Sequence, residues 1–225
     1  MCQAGAVHVG ILGGTGPAGR GLALRLAVAG AKVVMGSRSA ERAASVCEEL
    51  RAKWPEADYE ITPGDNNAAA AASLVVVATP WDAAAVTAAS VADALDGKVV
   101  ISMANALARI GKEFEPLVPP RGSVAAHVQS AVPNSRVAAA LHHVPARSLG
   151  DLNHDLEGDV LVCSDHAEAT EAAVEMIRML PGVRPLVAGS LSNAAAIEAF
   201  TAVLLQLNVR YRAHTALQIT GIDGE

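Results

Sequence analysis

The sequence of 225 residues predicts an α/β protein, in which a doubly wound parallel sheet is followed by a smaller C-terminal α/β domain. Short apolar runs alternate with segments whose apolar residues recur every three or four positions, as in alternating strands and helices. The runs at residues 7–12 and 74–78 are almost entirely apolar, which is typical of strands buried on both faces of a sheet. The order of these segments predicts a Rossmann-type arrangement.

The first part of the chain reads as strands separated by helices. We expect strands at residues 7–12, 32–35, 59–61, 74–78, 98–102 and 136–141, although the alanines of the last run leave a helix as its alternative. Helices are expected after the turn at Gly14, after Ser39, in the alanine-rich stretch before residue 74, from Asp82 to about Leu95, and over residues 123–131.

The chain changes character past Pro145. Residues 147–158 are polar, and they precede a strand at 160–162, a helix at 168–180, a strand at 186–188 and a long helix that starts at Ser190 or Ser192. We therefore predict two domains, residues 1–146 and residues 147–225. The last helix carries more apolar residues, Phe200 and Leu204 among them, than a small domain can bury, which predicts a homodimer.

Composition excludes several classes of function. With 52% hydrophobic and 18% charged residues the chain can build a core, while its net charge of −6 and only two each of Trp, Tyr and Phe argue against nucleic-acid binding. No signal peptide and no apolar run of 18 residues are found, so we expect a cytoplasmic protein that does not enter a membrane. Cys2, Cys47 and Cys163 lie far apart and no HExxH motif occurs, so no metal site is expected.

A glycine-rich motif follows the first strand and opens the first helix. It has the spacing GxGxxG and consists of Gly14, Thr15, Gly16, Pro17, Ala18 and Gly19. In a dinucleotide-binding loop the first glycine allows a tight turn, the second lets a pyrophosphate approach the backbone, and the third lets the helix pack on the strand. The position after a strand favours dinucleotide binding over a merely structural glycine turn.

The end of the second strand predicts which dinucleotide is bound. An acidic residue there would accept hydrogen bonds from the ribose of NAD, but this chain has Ser37 and Arg38, with Arg42 one helical turn later. Two guanidinium groups and a hydroxyl suit the 2′-phosphate of NADP(H). The alternative is that both arginines are solvated cations at the start of a helix.

Two further groups follow strands at the edge where open α/β sheets hold ligands. Thr79, Pro80 and Trp81 end the fourth strand, where Trp81 either walls the cleft or caps the next helix. His142 follows the sixth strand and either orients a cofactor or is an ordinary loop histidine. The sequence contains no GxSxG elbow, no YxxxK pair and no paired carboxylates in this region, so the usual general acids and bases are missing.

The chain resembles a known family, the NADPH-dependent reductases of the deazaflavin coenzyme F-420. The landmarks run in order from residue 10 to about 193. They are Gly13-Gly14-Thr15-Gly16, Gly-Leu-Ala-Leu-Arg-Leu at 21–26, Gly36-Ser37-Arg38 with Arg42, Thr79-Pro80-Trp81, Ala140-Leu141-His142 with Pro145-Ala146, Val162-Cys163, and Arg184-Pro185-Leu186 with Gly189 and Leu191-Ser192-Asn193.

The resemblance implies hydride exchange between NADP(H) and coenzyme F-420 in a homodimer. It implies that Thr15, Gly16, Pro17 and Ala18 hold the pyrophosphate, that Ser37, Arg38 and Arg42 hold the 2′-phosphate, and that Trp81, His142 and Ala146 lie near the nicotinamide and its partner ring. The sequence departs from the family at Pro17 and Ala18, where an Asn-Leu pair is common, and at 103–109, which lacks a proline-containing loop.

Hydride transfer between two planar carriers needs no built-in acid, so the missing catalysts agree with this implication. Two alternatives stay open. The first is an NADPH-dependent flavin or ferric reductase, because the cytosolic domains of some membrane metalloreductases resemble the same family. The second is a non-catalytic module that senses NADPH.

Overall fold

The computed structural model describes residues 7–222, so Cys2 lies outside the described residues. The strands are β1 (His8–Leu12), β2 (Lys32–Ser37), β3 (Ile61–Asp65), β4 (Leu74–Val77), β5 (Val99–Ser102), β6 (Leu107–Ile110), β7 (Glu113–Pro116), β8 (Arg136–Ala139), β9 (Gly158–Ser164) and β10 (Val183–Val187). The helices are α1 (Pro17–Val28), α2 (Ala40–Lys53), α3 (Asn66–Ala70), α4 (Trp81–Ala89), α5 (Ala92–Leu95), α6 (Val124–Ala131), α7 (Ala146–Leu149), α8 (Ala167–Arg178) and α9 (Ala194–Tyr211).

Eight of these strands form one sheet, in the order β10-β9-β8-β5-β4-β1-β2-β3. Strand β1 is hydrogen-bonded in parallel to both β2 and β4, and the pairs β2·β3, β4·β5 and β5·β8 are also parallel. From β1 the chain therefore winds outwards in one direction to β3 and then, from β4, in the other. The prediction of a Rossmann-type doubly wound sheet is confirmed.

The residues beyond 146 extend this sheet. Strand β9 pairs antiparallel with β8, where Ala138 faces Ser164 and Ala139 faces Cys163, and β10 continues in parallel with β9. Because of this reversal, β9 and β10 begin at the edge where β8 ends. The expected C-terminal strands and helices are present in this extension, while the division of the chain at residue 146 stays a prediction.

Two apolar layers cover the sheet. The helices α1, α2 and α8 pack on one face, around residues such as Ile11, Leu22 and Met176. The helices α3, α4, α6 and α9 pack on the other, around Val77 and Ile197. Burial of the strands on both faces explains why their sequence is apolar without alternation.

The sixth apolar run is a strand, as expected, despite its alanines. Other elements differ from the sequence-based expectations. The helix expected over 82–95 is broken at Ser90 and Val91 into α4 and α5, and the third strand covers Ile61–Asp65 instead of 59–61. An unpredicted hairpin, β6 and β7, turns at Gly111, whose φ of +62° suits a glycine. Over the described residues no helix has the length and apolar content to cross a bilayer.

A buried arginine joins α1 to the chain beyond α7. The guanidinium of Arg25 donates to the backbone carbonyls of Leu149 (3.2 Å), Ser148 (2.8 Å) and His154 (2.7 Å), and also to that of Asp151. Burial lowers the pKa of Arg25 from its ordinary value, while Asp155 and Asp151 oppose that effect. Since α1 also follows the glycine-rich motif, Arg25 links that motif to the C-terminal part of the chain.

Candidate active site

The sequence-predicted groups meet at the carboxyl edge of the sheet. Parallel register aligns Leu12 with Val77, Val77 with Ser102, and Ser102 with Ala139, so the loops that follow β1, β4, β5 and β8 leave from one edge. The winding direction reverses between β1 and β4. In open α/β sheets the crevice outside such a reversal is where ligands bind.

Two glycines of the motif are required by packing. Gly14 donates its backbone N–H to the carbonyl of Gly36 over 2.8 Å, and a Cβ on Gly14 would lie 2.9 Å from Cγ of Met35. A Cβ on Gly19 would lie 2.8 Å from the Cα of Gly14, so α1 could not approach β1 with any other residue there. These roles agree with the turn and packing functions expected of the first and third glycines.

Gly16 differs, because protein packing does not require a glycine there. A Cβ on Gly16 would find its nearest neighbours 3.7 and 3.9 Å away, at the carbonyl oxygens of Gly13 and Ala78. The backbone N–H groups of Thr15 and Ala18 make no hydrogen bond within the described part of the chain, and Pro17 has no N–H. Open space beside two free amides at a helix N-terminus fits an anionic group such as a pyrophosphate.

The structure adds a residue that the sequence reasoning missed. Asn66, the first residue of α3, accepts the N–H of Gly13 with its Oδ1 atom over 3.2 Å. Gly13 has a φ of +68°, so this hydrogen bond holds the start of the glycine loop in its left-handed conformation. The sequence signal was the Asp65-Asn66 pair before an alanine run, where Asp65 caps α3 by accepting the N–H of Ala68 over 2.8 Å.

The end of β2 presents two unpaired cations. Ser37 is buried as the last residue of β2, while Arg38 and Arg42 are exposed and form no ion pair with other described residues. Glu41 places a negative charge beside these two cations. The Ser39 hydroxyl donates a hydrogen bond to the Glu41 carboxylate, which lowers the pKa of Glu41 and keeps it ionised. Two guanidinium groups thus remain available to an anion, beside one acid that stays ionised.

The loop after β4 contacts the glycine loop. The methyl group of Thr79 packs where a Cβ on Gly13 would lie, and the Thr79 hydroxyl oxygen is buried without a hydrogen-bond partner. Pro80 precedes α4, and the half-buried Trp81 begins this helix and packs against the apolar layer under it. A buried hydroxyl without a partner beside a ligand loop fits a polar group of a bound molecule.

His142 is buried as a neutral imidazole. Its side chain is 3% exposed and neither ring nitrogen has a hydrogen-bond partner of good geometry. Burial and the neighbouring His143 lower the pKa of His142 to about 3, against the opposite effect of the nearby carbonyls of Ala104 and Met103. The ring therefore carries no charge at neutral pH, and its nitrogens are suited to positioning rather than to proton transfer.

Ala146 lies at the start of α7, four residues past His142 and half-exposed. Helix α7 packs closely on α1, because a Cβ on Gly21 would lie 2.8 Å from backbone atoms of Leu149 and Gly150. The site residues from β1, β2 and β4 are thus joined by the contacts Gly14–Gly36 and Gly13–Thr79, and α7 is joined to them through α1. Across the described residues no group of three metal-ligating side chains occurs.

Comparison with known proteins identifies similar chains. Residues 8–106 match the family model described as coenzyme F420-dependent NADP oxidoreductase. The F420-dependent NADP reductase of Methanocaldococcus jannaschii is 35% identical over 224 residues, covering 96% of this chain and 100% of that protein. The enzyme of the same name from Methanothermobacter thermautotrophicus is 35% identical over 228 residues, covering 99% and 98%. A crystal structure of a candidate F420-dependent NADP reductase from Arthrobacter sp. FB24 matches with a TM-score of 0.75 at 25% identity, covering 95% of this chain and 98% of that chain.

Proposed function

The chain belongs to the family of coenzyme F420-dependent NADP reductases, and we propose that it transfers a hydride reversibly between NADP(H) and the deazaflavin coenzyme F-420. The observation that carries the proposal is the 35% identity to such a reductase over 96% of this chain and the whole of that protein. The geometry of the carboxyl edge supports it independently, because the loops there fit a dinucleotide.

The nucleotide half of the proposal rests on the glycine loop and on the end of β2. We assign the pyrophosphate to the free amides of Thr15 and Ala18, beside the open face of Gly16. We assign the 2′-phosphate of NADP(H) to Ser37, Arg38 and Arg42, because these cations are unpaired and no carboxylate ends β2.

The reacting half requires positioning more than acid or base chemistry. When both cofactors are bound, the nicotinamide C4 gives or receives a hydride and the deazaflavin ring exchanges one proton as well. Since the pKa of His142 is lowered to about 3, we assign this proton to solvent. We propose that Trp81, His142 and Ala146 hold the rings at a near-attack distance of ~3–3.5 Å and exclude water between them.

The assembly we propose is a homodimer formed through the outer face of α9. Phe200 and Val203 are 40% and 49% exposed on this face, one helical turn apart, while Glu198 and Thr201 are buried on the inner face. Leu204, which the sequence suggests for the interface, is buried within the chain and does not belong to this face. An apolar stripe on a long, otherwise anchored helix is typical of a subunit interface. We also propose that the enzyme works in the cytoplasm, where the buried thiols of Cys47 and Cys163 stay reduced.

The decisive experiment follows the visible absorbance of purified oxidised deazaflavin after NADPH is added to the enzyme. Absorbance should fall, and deuterium from one face of C4 of the nicotinamide should arrive in the reduced deazaflavin without exchange into water. Efficient reduction of free flavin or ferric chelate, with no deazaflavin turnover, would instead favour a flavin or ferric reductase. Tight NADPH binding without turnover of any acceptor would favour a sensing module.

A further inference from the structure

The turn that follows β8 has a backbone conformation that needs outside support. Leu141 is 1% exposed and has a φ of +66°, in the left-handed region that residues other than glycine rarely adopt. Among the non-glycine residues of the described part of the chain, only Arg212, at the end of α9, also has a positive φ. Backbone strain of this kind persists where surrounding contacts hold it, and it is concentrated at functional sites.

The contacts that hold this turn come from Asn105 and Thr201. The Asn105 side-chain amide donates to the carbonyl oxygen of His142 over 2.7 Å. The Thr201 hydroxyl lies 3.3 Å from the same carbonyl oxygen and 3.3 Å from Oδ1 of Asn105. One hydroxyl proton can be donated fully to only one of them, so the shorter bond from Asn105 is the main restraint.

This bridge of Asn105, His142 and Thr201 joins separate elements at the carboxyl edge of the sheet. Asn105 lies three residues after β5 and His142 lies three residues after β8, and these strands are parallel neighbours in which Ser102 faces Ala139. Thr201 reaches the bridge from the middle of α9, where it is 7% exposed. The bridge thus fixes the β8 turn relative to the sheet and to α9 at once.

The position of the bridge along the sheet separates it from the nucleotide loops. From β8 the order is β5, β4, β1 and β2, and the glycine loop and the cationic end of β2 belong to the last two strands. A nucleotide whose phosphates lie at β1 and β2 reaches β4 and β5 only with its nicotinamide end. A second ring that meets the nicotinamide therefore lies towards β8, next to the turn.

We propose that Asn105 is a positioning residue for the reaction, which through the carbonyl of His142 fixes the β8 turn against which the deazaflavin ring lies. The inference rests on the proposed function. In this proposal Asn105 and Thr201 help to place the deazaflavin ring, and neither residue helps to hold NADP(H).

The test compares isosteric variants. Asn105→Asp preserves size but replaces the amide donor by a carboxylate that cannot donate to the His142 carbonyl, and Thr201→Val removes a hydroxyl whereas Thr201→Ser retains it. Asn134→Asp, at an exposed position, makes the same chemical change away from the bridge. Each variant is measured for kcat and KM with the deazaflavin, Kd for NADPH, thermal midpoint, and facial selectivity with deuterated NADPH.

A displacement of reacting groups by about 1 Å can cost about 100-fold in rate, so Asn105→Asp should lower kcat/KM for the deazaflavin by about 10- to 100-fold. Facial selectivity should fall with it, since a displaced ring accepts hydride less selectively, while Kd for NADPH stays within about twofold. Thr201→Val should show a smaller loss in the same constants. Thr201→Ser and Asn134→Asp should behave as the wild type.

Two results would overturn the proposal. One is a wild-type kcat/KM and selectivity in a folded Asn105→Asp enzyme. The other is a loss of thermal stability and of NADPH affinity together, with no specific change in deazaflavin constants. If Asn105→Asp does not fold, Thr201→Val decides by the same criteria. An inactive wild type would refute the proposed function itself, whereas an active wild type with an unaffected variant refutes only the role of Asn105.

Discussion

Arg184 donates to both carboxylate oxygens of Asp159, from Nε over 2.8 Å and from a terminal nitrogen over 3.0 Å. The Asp159 side chain is 4% exposed and also accepts the N–H of Ile219 over 2.6 Å. Arg184 donates in addition to the carbonyls of Ile219 and Ile222, over 3.0 and 2.9 Å. The pair therefore clamps the C-terminal segment onto the starts of β9 and β10, at the edge of the sheet where β8 ends.

Asp159→Asn should destabilise the fold by about 2 kcal/mol, because it removes the charge that Arg184 and the Ile219 amide bind. For a chain of this size that corresponds to a fall of about 4–8 °C in Tm. The hydrogen bond from Arg184 lowers the pKa of Asp159, so its stabilisation is present above the ordinary Asp pKa and is lost as pH falls through the lowered value. Thermal unfolding across pH measures both effects. The exposed Asp58→Asn is the control, and equal Tm values for the two variants would contradict the clamp.

Arg38→Ala should weaken NADPH binding about ten- to a hundred-fold and leave NADH binding nearly unchanged. A charge-assisted hydrogen bond to a phosphate contributes ~1.5–3 kcal/mol before screening, and NADH lacks the phosphate. Nucleotide titration of both forms measures the difference. Arg51→Ala, an exposed arginine near the other end of α2, should change neither affinity. Equal losses of NADPH and NADH in Arg38→Ala would refute a 2′-phosphate site.

Glu41→Gln should strengthen NADPH binding modestly, by about two- to threefold, because it removes an exposed acid beside the two arginines. The change is small since solvent and salt screen exposed charges. Its dependence on ionic strength is the sharper measurement. The gain in NADPH affinity should shrink as salt is added. A gain that does not depend on salt would contradict charge repulsion as the effect of Glu41.

Gly16→Ala and Gly19→Ala should separate binding from packing. A methyl group on Gly16 meets only atoms at 3.7 Å or beyond, so Gly16→Ala should fold with a Tm near the wild type and bind NADPH far more weakly. A methyl group on Gly19 would lie 2.8 Å from the Cα of Gly14, so Gly19→Ala should lower Tm. Calorimetry with nucleotide titration distinguishes the two. Normal NADPH affinity in Gly16→Ala would contradict the assignment of the pyrophosphate to this loop.

These residues also show what the sequence could predict. The glycine loop and the cationic end of β2 are local patterns. Each directly follows one strand in the sequence, so residue spacing alone predicted where each lies in the fold. Asn66, Asn105 and Thr201 act through hydrogen bonds to residues 53, 37 and 59 positions away, which no local pattern encodes. The β6–β7 hairpin was missed for a related reason, because its alternation is broken by charged residues and its packing partner is α9.

The outer face of α9 provides the last prediction, because it tests the dimer without touching the inner face. Phe200→Glu places a charge in the apolar stripe, where desolvation in an interface is costly, while glutamate suits a helix and Phe200 is already 40% exposed. Light scattering at micromolar concentration should give twice the 22.9 kDa of one chain for the wild type, and close to 22.9 kDa for the variant.

The control is Val86→Glu, which makes the same kind of change at a residue 71% exposed on α4, and this variant should stay dimeric. A wild type that already scatters as a single chain would refute the dimer, and a dimeric Phe200→Glu would move the interface away from α9. Thr201, on the inner face of the same helix, lies 3.3 Å from the carbonyl oxygen of His142. A loss of deazaflavin turnover in a monomeric, folded Phe200→Glu would therefore link the interface to the carboxyl edge of the sheet through α9.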